Sequence, residues 1–288
     1  MLWQARPGLL AGSAALSSGA SVSYAGPGDI VSGATGFWSS ARAYSLATAG
    51  TNLMDLVDQA GANLVTIKTL GTGFVDLSAI SAWVSANSVS TIKVAKLYNQ
   101  ANPGTADMVN SGSISTKPTL TLSALSGLPA TTFSGSSGQF LAASSTITQA
   151  TPFSMSAVVN RTTATSGGFL GADNVQVNLR GAGTANNMGF ECGSAVGVSC
   201  TDNTFHALNA SCPSTSGQGA IRIDGTDTTG QTVGTTGLSG STLRLGLSNA
   251  GIYLYGMLPE AIFYPIAYTT QNRSDMNANH HGTSGYNF

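Results

Sequence analysis

Tyr98, Asn99 and Gln100 stand side by side at the end of STIKVAKLYNQ, just ahead of an Asn/Pro/Gly loop. A tyrosine face stacks on a sugar ring and side-chain amides match its hydroxyls, so the triplet reads as one wall of a carbohydrate groove. The same residues have a structural use, with Tyr98 capping a core and the two amides satisfying turn backbone, and the spacing leaves both readings open. Tyr253 and Tyr255 alternate with Ile252 and Leu254 in GIYLYGMLPEAIFY and therefore share one strand face, as a sugar-binding stripe or as a pair packed beneath a loop. Hydrolysis of a glycosidic bond with retention asks for more: two carboxylates about 5 Å apart on facing strands or loops.

Metal chemistry is disfavoured. His206 lies inside the strand pattern TFHALNA, where an aromatic-His pair packs rather than ligates, and the adjacent His280 and His281 read as solvated ahead of a Gly/Ser tail. No cofactor and no metal site is expected. The three cysteines, Cys192, Cys200 and Cys212, form an odd set in one region. Cys192 and Cys200 would close a hairpin loop, Cys212 competes for either, and three unpaired thiols are the remaining alternative.

The elements that must position these residues are strands. In residues 204–269, AIRIDG puts Ile221 and Ile223 opposite Arg222 and Asp224 before an Asp224-Gly225 hairpin turn, and LRLGL puts Leu243, Leu245 and Leu247 on one face. Such alternation predicts antiparallel strands that bury one face and show the other to solvent. Leu243, Leu245, Ile221, Ile223 and Phe263 are the expected core, with Arg222 and Arg244 outside it. Upstream, NLMDLVD and NLVTIKT flank a QAGA turn. DLSAISAWVSAN carries Leu77, Ile80, Trp83 and Val84 at helical spacing behind a capping Asp76, which makes Trp83 a core residue. The reading is an all-β antiparallel sandwich with one or two short helices.

The ordered segments resemble a known family. The aromatic-His strand, the strand ending in Asp-Gly, the LRLG strand and the LPEAIFY strand followed by TTQNRSDMNAN are similar to the closing half of concanavalin A-like, or laminin G-like, jelly rolls. GDIVSGATGFWSSARAYSLA, FVDLSAISAWV, KLYNQANPG and GLPATTFSGSSGQFL resemble, in order, the catalytic domain of arabinofuranosidase B-like proteins and related phage and prophage proteins. This implies a jelly roll over residues 28–288. It also implies that Glu191, in NNMGFECG, matches the family's nucleophile, and that Ser248-Asn249 stand where its acid Asp is expected. Glu260 then has a structural role, supporting backbone or pairing with Arg222 or Arg244. Asn99 replaces a family Asp.

Charged residues are 8% of the chain and the net charge is -1, so no basic field exists to hold a phosphate backbone. Nucleic acid is not an expected partner, nor is a membrane, because apolar runs stop well short of about 20 residues. Residues 1–27 read as an attachment arm with Trp3, Leu9 and Leu10 as its apolar anchors. Two functions are carried forward. The first is a non-enzymatic structural or adhesion subunit of a phage or phage-like particle (spike, fibre or decoration), homo-oligomeric, joined to other particle proteins by the arm and touching cell-surface glycan. The alternative is an arabinofuranosidase-type glycoside hydrolase, secreted or particle-bound, with Glu191 as its catalytic residue.

Overall fold

Strand-to-strand partners sort the chain's alternating residues into two layers. The structure is a computed structural model describing residues 23–165 and 167–288. The front sheet runs β3 (Leu64–Lys68), β2 (Asn52–Val57), β4 (Lys93–Leu97), β5 (Met108–Val109), β8 (Leu141–Ala143), β19 (Leu243–Leu245), β11 (Gly168–Ala172), β12 (Val177–Gly181), β13 (Asn187–Cys192) and β14 (Ala195–Ser199). The back sheet runs β6 (Thr119–Leu125), β7 (Leu128–Phe133), β20 (Gly256–Tyr264), β10 (Phe153–Arg161), β15 (Phe205–Cys212), β16 (Gly219–Ile223) and β17 (Thr226–Gln231), with β1 (Gly36–Ser39) extending the β7 side of β20. One pairing, Lys93 with Thr119, links the layers at a corner. β9 (Ile147–Gln149) and β18 (Leu238–Ser241) form a small ribbon.

All pairings are antiparallel, and the alternation does what the pleat requires. Leu141, Leu245, Leu170, Leu179 and Phe190 are successive cross-strand partners on the inner face of the front sheet. They meet Ala157, Leu208, Ile221, Ile223 and Phe263 of the back sheet in one cluster. Leu243, Leu245, Ile221, Ile223 and Phe263 are buried as expected, and Arg222 and Arg244 lie half-buried outside. Asp224 and Gly225 make the predicted turn in the left-handed region, at φ 45° and 91°. Helix α2 (Leu77–Ala86) starts where Ala79 N donates to the Asp76 carboxylate at 3.0 Å, and it buries Ile80 and Trp83.

The structure corrects some sequence expectations and decides others that were open. Strands β10 and β15 and most of β20 are buried on both faces. Residues 24–48 and the C-terminal segment cover the outer face, where the strands offer small polar groups: Ser156 donates to Asn209 at 2.8 Å and Tyr268 N to Ser154 at 2.8 Å. β20 begins at Gly256, so Tyr253 and Tyr255 precede it rather than lie in it. Cys192 bonds Cys212, tying β13 to β15 across the two sheets. The β13–β14 hairpin pairs Glu191 with Ala195 and Asn187 with Ser199, so Cys200 is carried to the far end of the hairpin from Cys192. Burial pushes the Cys200 thiol up to about 11. Lastly, His280 is fully buried, not solvated.

His280 belongs to a cluster on the outer face of the back sheet. Glu260 pairs with Arg42, not with Arg222 or Arg244. The Arg42 Nε and Nη2 donate to the two Glu260 oxygens at 2.6 and 2.9 Å, with both side chains at zero exposure. Arg42 Nη1 donates to Asn279 Oδ1 at 2.8 Å and to the Ser284 carbonyl at 2.9 Å, and Nη2 lies 3.1 Å from His280 Nδ1. The Tyr286 hydroxyl donates to Glu260 at 3.0 Å. Four of these partners follow helix α3 (Thr270–His281) or lie in its last turn. Burial works to raise the Glu260 carboxyl, but the Arg42 charge and the bonds from His280 and Arg42 outweigh it and hold the group down at about 2. Burial holds His280 below its ordinary value.

Both shifts act in one direction. Unfolded chains take protons on Glu260 below its ordinary 4.5 and on His280 below 6.5, before the folded chain does, so stability falls as pH drops through that window. Glu260→Gln leaves Arg42 buried without its counter-charge. The expected loss is about 3–5 kcal/mol in denaturant unfolding at pH 7, with a shallower acid dependence between pH 4.5 and 2 than in wild type.

Candidate functional site

One residue along from the inner leucine row runs the row on the outer face of the front sheet, in which Lys96, Val109, Ala142 and Arg244 are half-buried and Asp55, Gly171, Asn178 and Glu191 are buried. Asp55, Lys96, Val109, Ala142, Arg244, Gly171, Asn178 and Glu191 are successive partners across the front sheet. Glycine at 171 leaves room for this arrangement, since a Cβ would stand 2.1 Å from Asn178 Oδ1 and displace that side chain. The Asn178 amide thus lies flat over β11 and reaches two neighbours. Its Nδ2 donates to Glu191 Oε2 at 3.1 Å and to Asn249 Oδ1 at 2.8 Å, while Asn249 N donates back to Asn178 Oδ1 at 3.3 Å. Arg180 Nε sits 3.3 Å from Glu191 Oε2. Asn249 is held by a tight turn in which Gly251 N donates to the Ser248 carbonyl at 3.0 Å, with Gly251 left-handed at φ 73°. One carboxylate, one guanidinium and two amides therefore form a connected network. An amide at 249 can donate or accept a hydrogen bond, but it has no proton to deliver to a leaving group.

The turn that holds Asn249 also leads to the predicted tyrosines. Tyr253 forms a bridge with Leu247, and its ring lies 6.3 Å from Phe140, which has the Arg244 guanidinium 5.8 Å from its centroid. Tyr255 packs on Gly135, where a Cβ would come within 2.2 Å of the ring. Both tyrosines are half-buried on one side of the chain, with Leu254 buried between them. Both rings lie against the 135–140 turn.

Tyr98, Asn99 and Gln100 lie at the other end of the row. Asn99 Oδ1 accepts from Phe37 N at 3.1 Å, and its Nδ2 donates to the Thr35 and Thr105 carbonyls at 2.9 Å each. Gln100 Oε1 accepts from Tyr44 N at 3.0 Å, and its Nε2 donates to the Asn52 carbonyl at 3.1 Å. Both residues are buried and their amides are committed to backbone. Tyr98 is half-buried; its hydroxyl donates to Asp55 at 3.1 Å and Lys96 Nζ lies 4.7 Å from its ring centre. Burial, and then the neighbouring Asp55, push its phenol up. These residues line a cleft of about 520 Å³ together with Asn52, Lys68, Pro103 and Gly104.

The backbone is similar to solved structures. An α-L-arabinofuranosidase variant of glycoside hydrolase family 54, soaked with 4-nitrophenyl α-L-arabinofuranoside, superposes with a TM-score of 0.68 at 15% identity, covering 88% of this chain. An arabinofuranosidase in complex with arabinofuranosyl-α-1,2-xylobiose gives 0.65 at 16% identity over the same share. The chain shares their fold. It spans 64% of the length of those enzymes. Neither a family profile nor a curated protein matches it by sequence.

Of the residues singled out from sequence, Glu191 and Ser248-Asn249 are brought together, with Tyr253 beside them. Tyr98 is on the same sheet face but apart, and Trp3, Leu9 and Leu10 lie outside the described residues. Asn178 and Arg180 carried no sequence signal beyond a strand pattern, because their roles depend on strand partners far along the chain. Asn99→Ala leaves the Phe37 amide and two carbonyls without their partner in a buried place. It is expected to lower unfolding free energy by at least about 2 kcal/mol, whereas Tyr98→Phe costs about 1 kcal/mol; denaturant titration of the two variants separates a wall residue from a half-buried one.

Proposed function

We propose that this chain binds glycan without hydrolysing it, as a spike, fibre or decoration subunit of a phage or phage-like particle. The observation that carries the non-hydrolytic part is Asn249, an amide hydrogen-bonded to the same Asn178 that holds Glu191. Two-carboxylate hydrolysis needs an acid that can protonate the leaving oxygen, and an amide at this place supports recognition instead. The glycan part is supported by a fold shared with sugar-processing enzymes and by an outer sheet face carrying amides, guanidinium groups and a tyrosine. The particle setting rests on the resemblance of the front segments to phage proteins and on a surface poor in charge. An inter-sheet disulfide fits a place outside the reducing cytoplasm, on a particle or secreted. Among the described residues no helix is long and apolar enough to cross a membrane.

The rival reading is arabinofuranosidase-type hydrolysis, favoured by the place of Glu191, buried on the front sheet with Arg180 beside it. Incubation with 4-nitrophenyl α-L-arabinofuranoside and a panel of polysaccharides is expected to give no turnover, while the same panel, immobilised, retains the protein. Robust turnover abolished by Glu191→Gln overturns the proposal, as does a panel on which nothing binds.

The arm supplies the attachment. Tyr24 is buried against Phe74 and Gly73, and Ala25 bonds to Asn279 and Ser284, so the last residues of the 1–27 arm pack on the domain. Trp3, Leu9 and Leu10 give about 1.5–3 kcal/mol each when fully buried on a partner, multiplied by avidity in an oligomer. Removing residues 1–22 is expected to leave a folded protein with unchanged unfolding that no longer joins its particle or oligomer; unchanged assembly in a pull-down and light-scattering comparison places attachment elsewhere.

A further inference from the structure

We propose that the cleft beside Tyr98 is a second sugar subsite, selective for a carboxylated sugar residue whose counter-charge is Lys68. This rests on the glycan-binding reading above and adds to it a ligand class. The cleft's volume of about 520 Å³ falls within the roughly 300–1,000 Å³ of small-molecule sites. Its wall is fixed before any ligand arrives, because Asn99 and Gln100 spend their amides on Phe37, Thr35, Thr105, Tyr44 and Asn52 backbone. Tyr98 and Pro103 add apolar surface for the C–H face of a ring.

The rim carries the recognition. Asn52 and Lys68 are direct partners across β2 and β3, so their exposed side chains stand next to one another at the cleft. Among the described residues neither side chain has a hydrogen-bond or ion-pair partner, and the acids nearby are already engaged. Asp55 accepts from Thr66 at 2.7 Å and from Tyr98. Asp107 accepts from Asn99 N at 2.9 Å and lies 3.7 Å from Lys96. One ammonium at the mouth of a preformed cleft thus lacks an anion of its own. A ligand carboxylate provides it, and the Asn52 amide pairs with an adjacent hydroxyl.

Titration calorimetry with trigalacturonate, beside neutral arabinofuranosyl-xylobiose, tests the assignment. Wild type is expected to bind trigalacturonate, more weakly as salt rises. Lys68→Gln, an exposed change that leaves the fold intact, is expected to lose about ten-fold in that affinity. Tyr98→Ala loses it as well. Failure of wild type to bind trigalacturonate, or unchanged binding by Lys68→Gln, overturns the subsite. If the neutral trisaccharide or any neutral member of the polysaccharide panel still binds, that failure is confined to the subsite; if the whole panel is silent, the glycan reading falls with it.

Discussion

A guanidinium and a carboxylate with no water around them set the terms for the rest of this fold. Arg42 enters from the segment before β2 and Glu260 from the middle of β20, while Asn279, His280, the Ser284 carbonyl and Tyr286 close the remaining bonds. A buried ion pair is weak evidence for net stability, since desolvation offsets much of its attraction. Its consequence is specificity: an arrangement that leaves out the C-terminal segment opens the pair to solvent and forfeits the bonds from Asn279, the Ser284 carbonyl and Tyr286 that complete it. The two ends of the described chain are therefore drawn onto the same face of the back sheet, where Asn279 also bonds Ala25. With that face covered, the outer face of the front sheet is the broad sheet surface left for a ligand.

This explains which parts of the fold could be read in advance. Ile221/Ile223 and Leu243/Leu245 alternate with polar residues, and Asp224-Gly225 supplies its own turn, so each strand announces itself locally. Double burial of β10 and β15 does not. Ser154, Ser156, Asn209 and Ser211 look solvent-facing by type, and only the later arrival of residues 268–288 puts them inside. The same segment hides His280. The Arg42–Glu260 pair spans 218 positions, and nothing local distinguishes Arg42 from Arg222 or Arg244 as the partner. The disulfide was open for a similar reason: Cys212 reaches Cys192 only once the two sheets have stacked.

The site divides along the same line. Glu191 and Asn249 were reachable by resemblance, because each sits in a recognisable segment. Asn178, which joins them, sits in a strand whose sequence shows only alternation, and its reach depends on the absence of a Cβ at Gly171 on the neighbouring strand. Asn99 and Gln100 illustrate the converse. Their residue types suit a sugar, yet a loop leaving β4 between two chain segments has more backbone donors and acceptors to satisfy than it can pair internally, and those claims consume both amides.

Geometry then bears on what kind of ligand suits such a face. From Asp55 to Glu191 the row crosses seven strand steps, roughly 34 Å at about 4.8 Å each. A single sugar touches one end only. A polysaccharide can touch both, and two shallow contacts on one chain combine through effective concentration rather than through the strength of either. Hydrolysis calls for the opposite design, with binding energy focused on one bond between two acids. On the proposed reading, a face with a cleft at one end and an amide-bridged carboxylate at the other is matched to holding a polymer at two points.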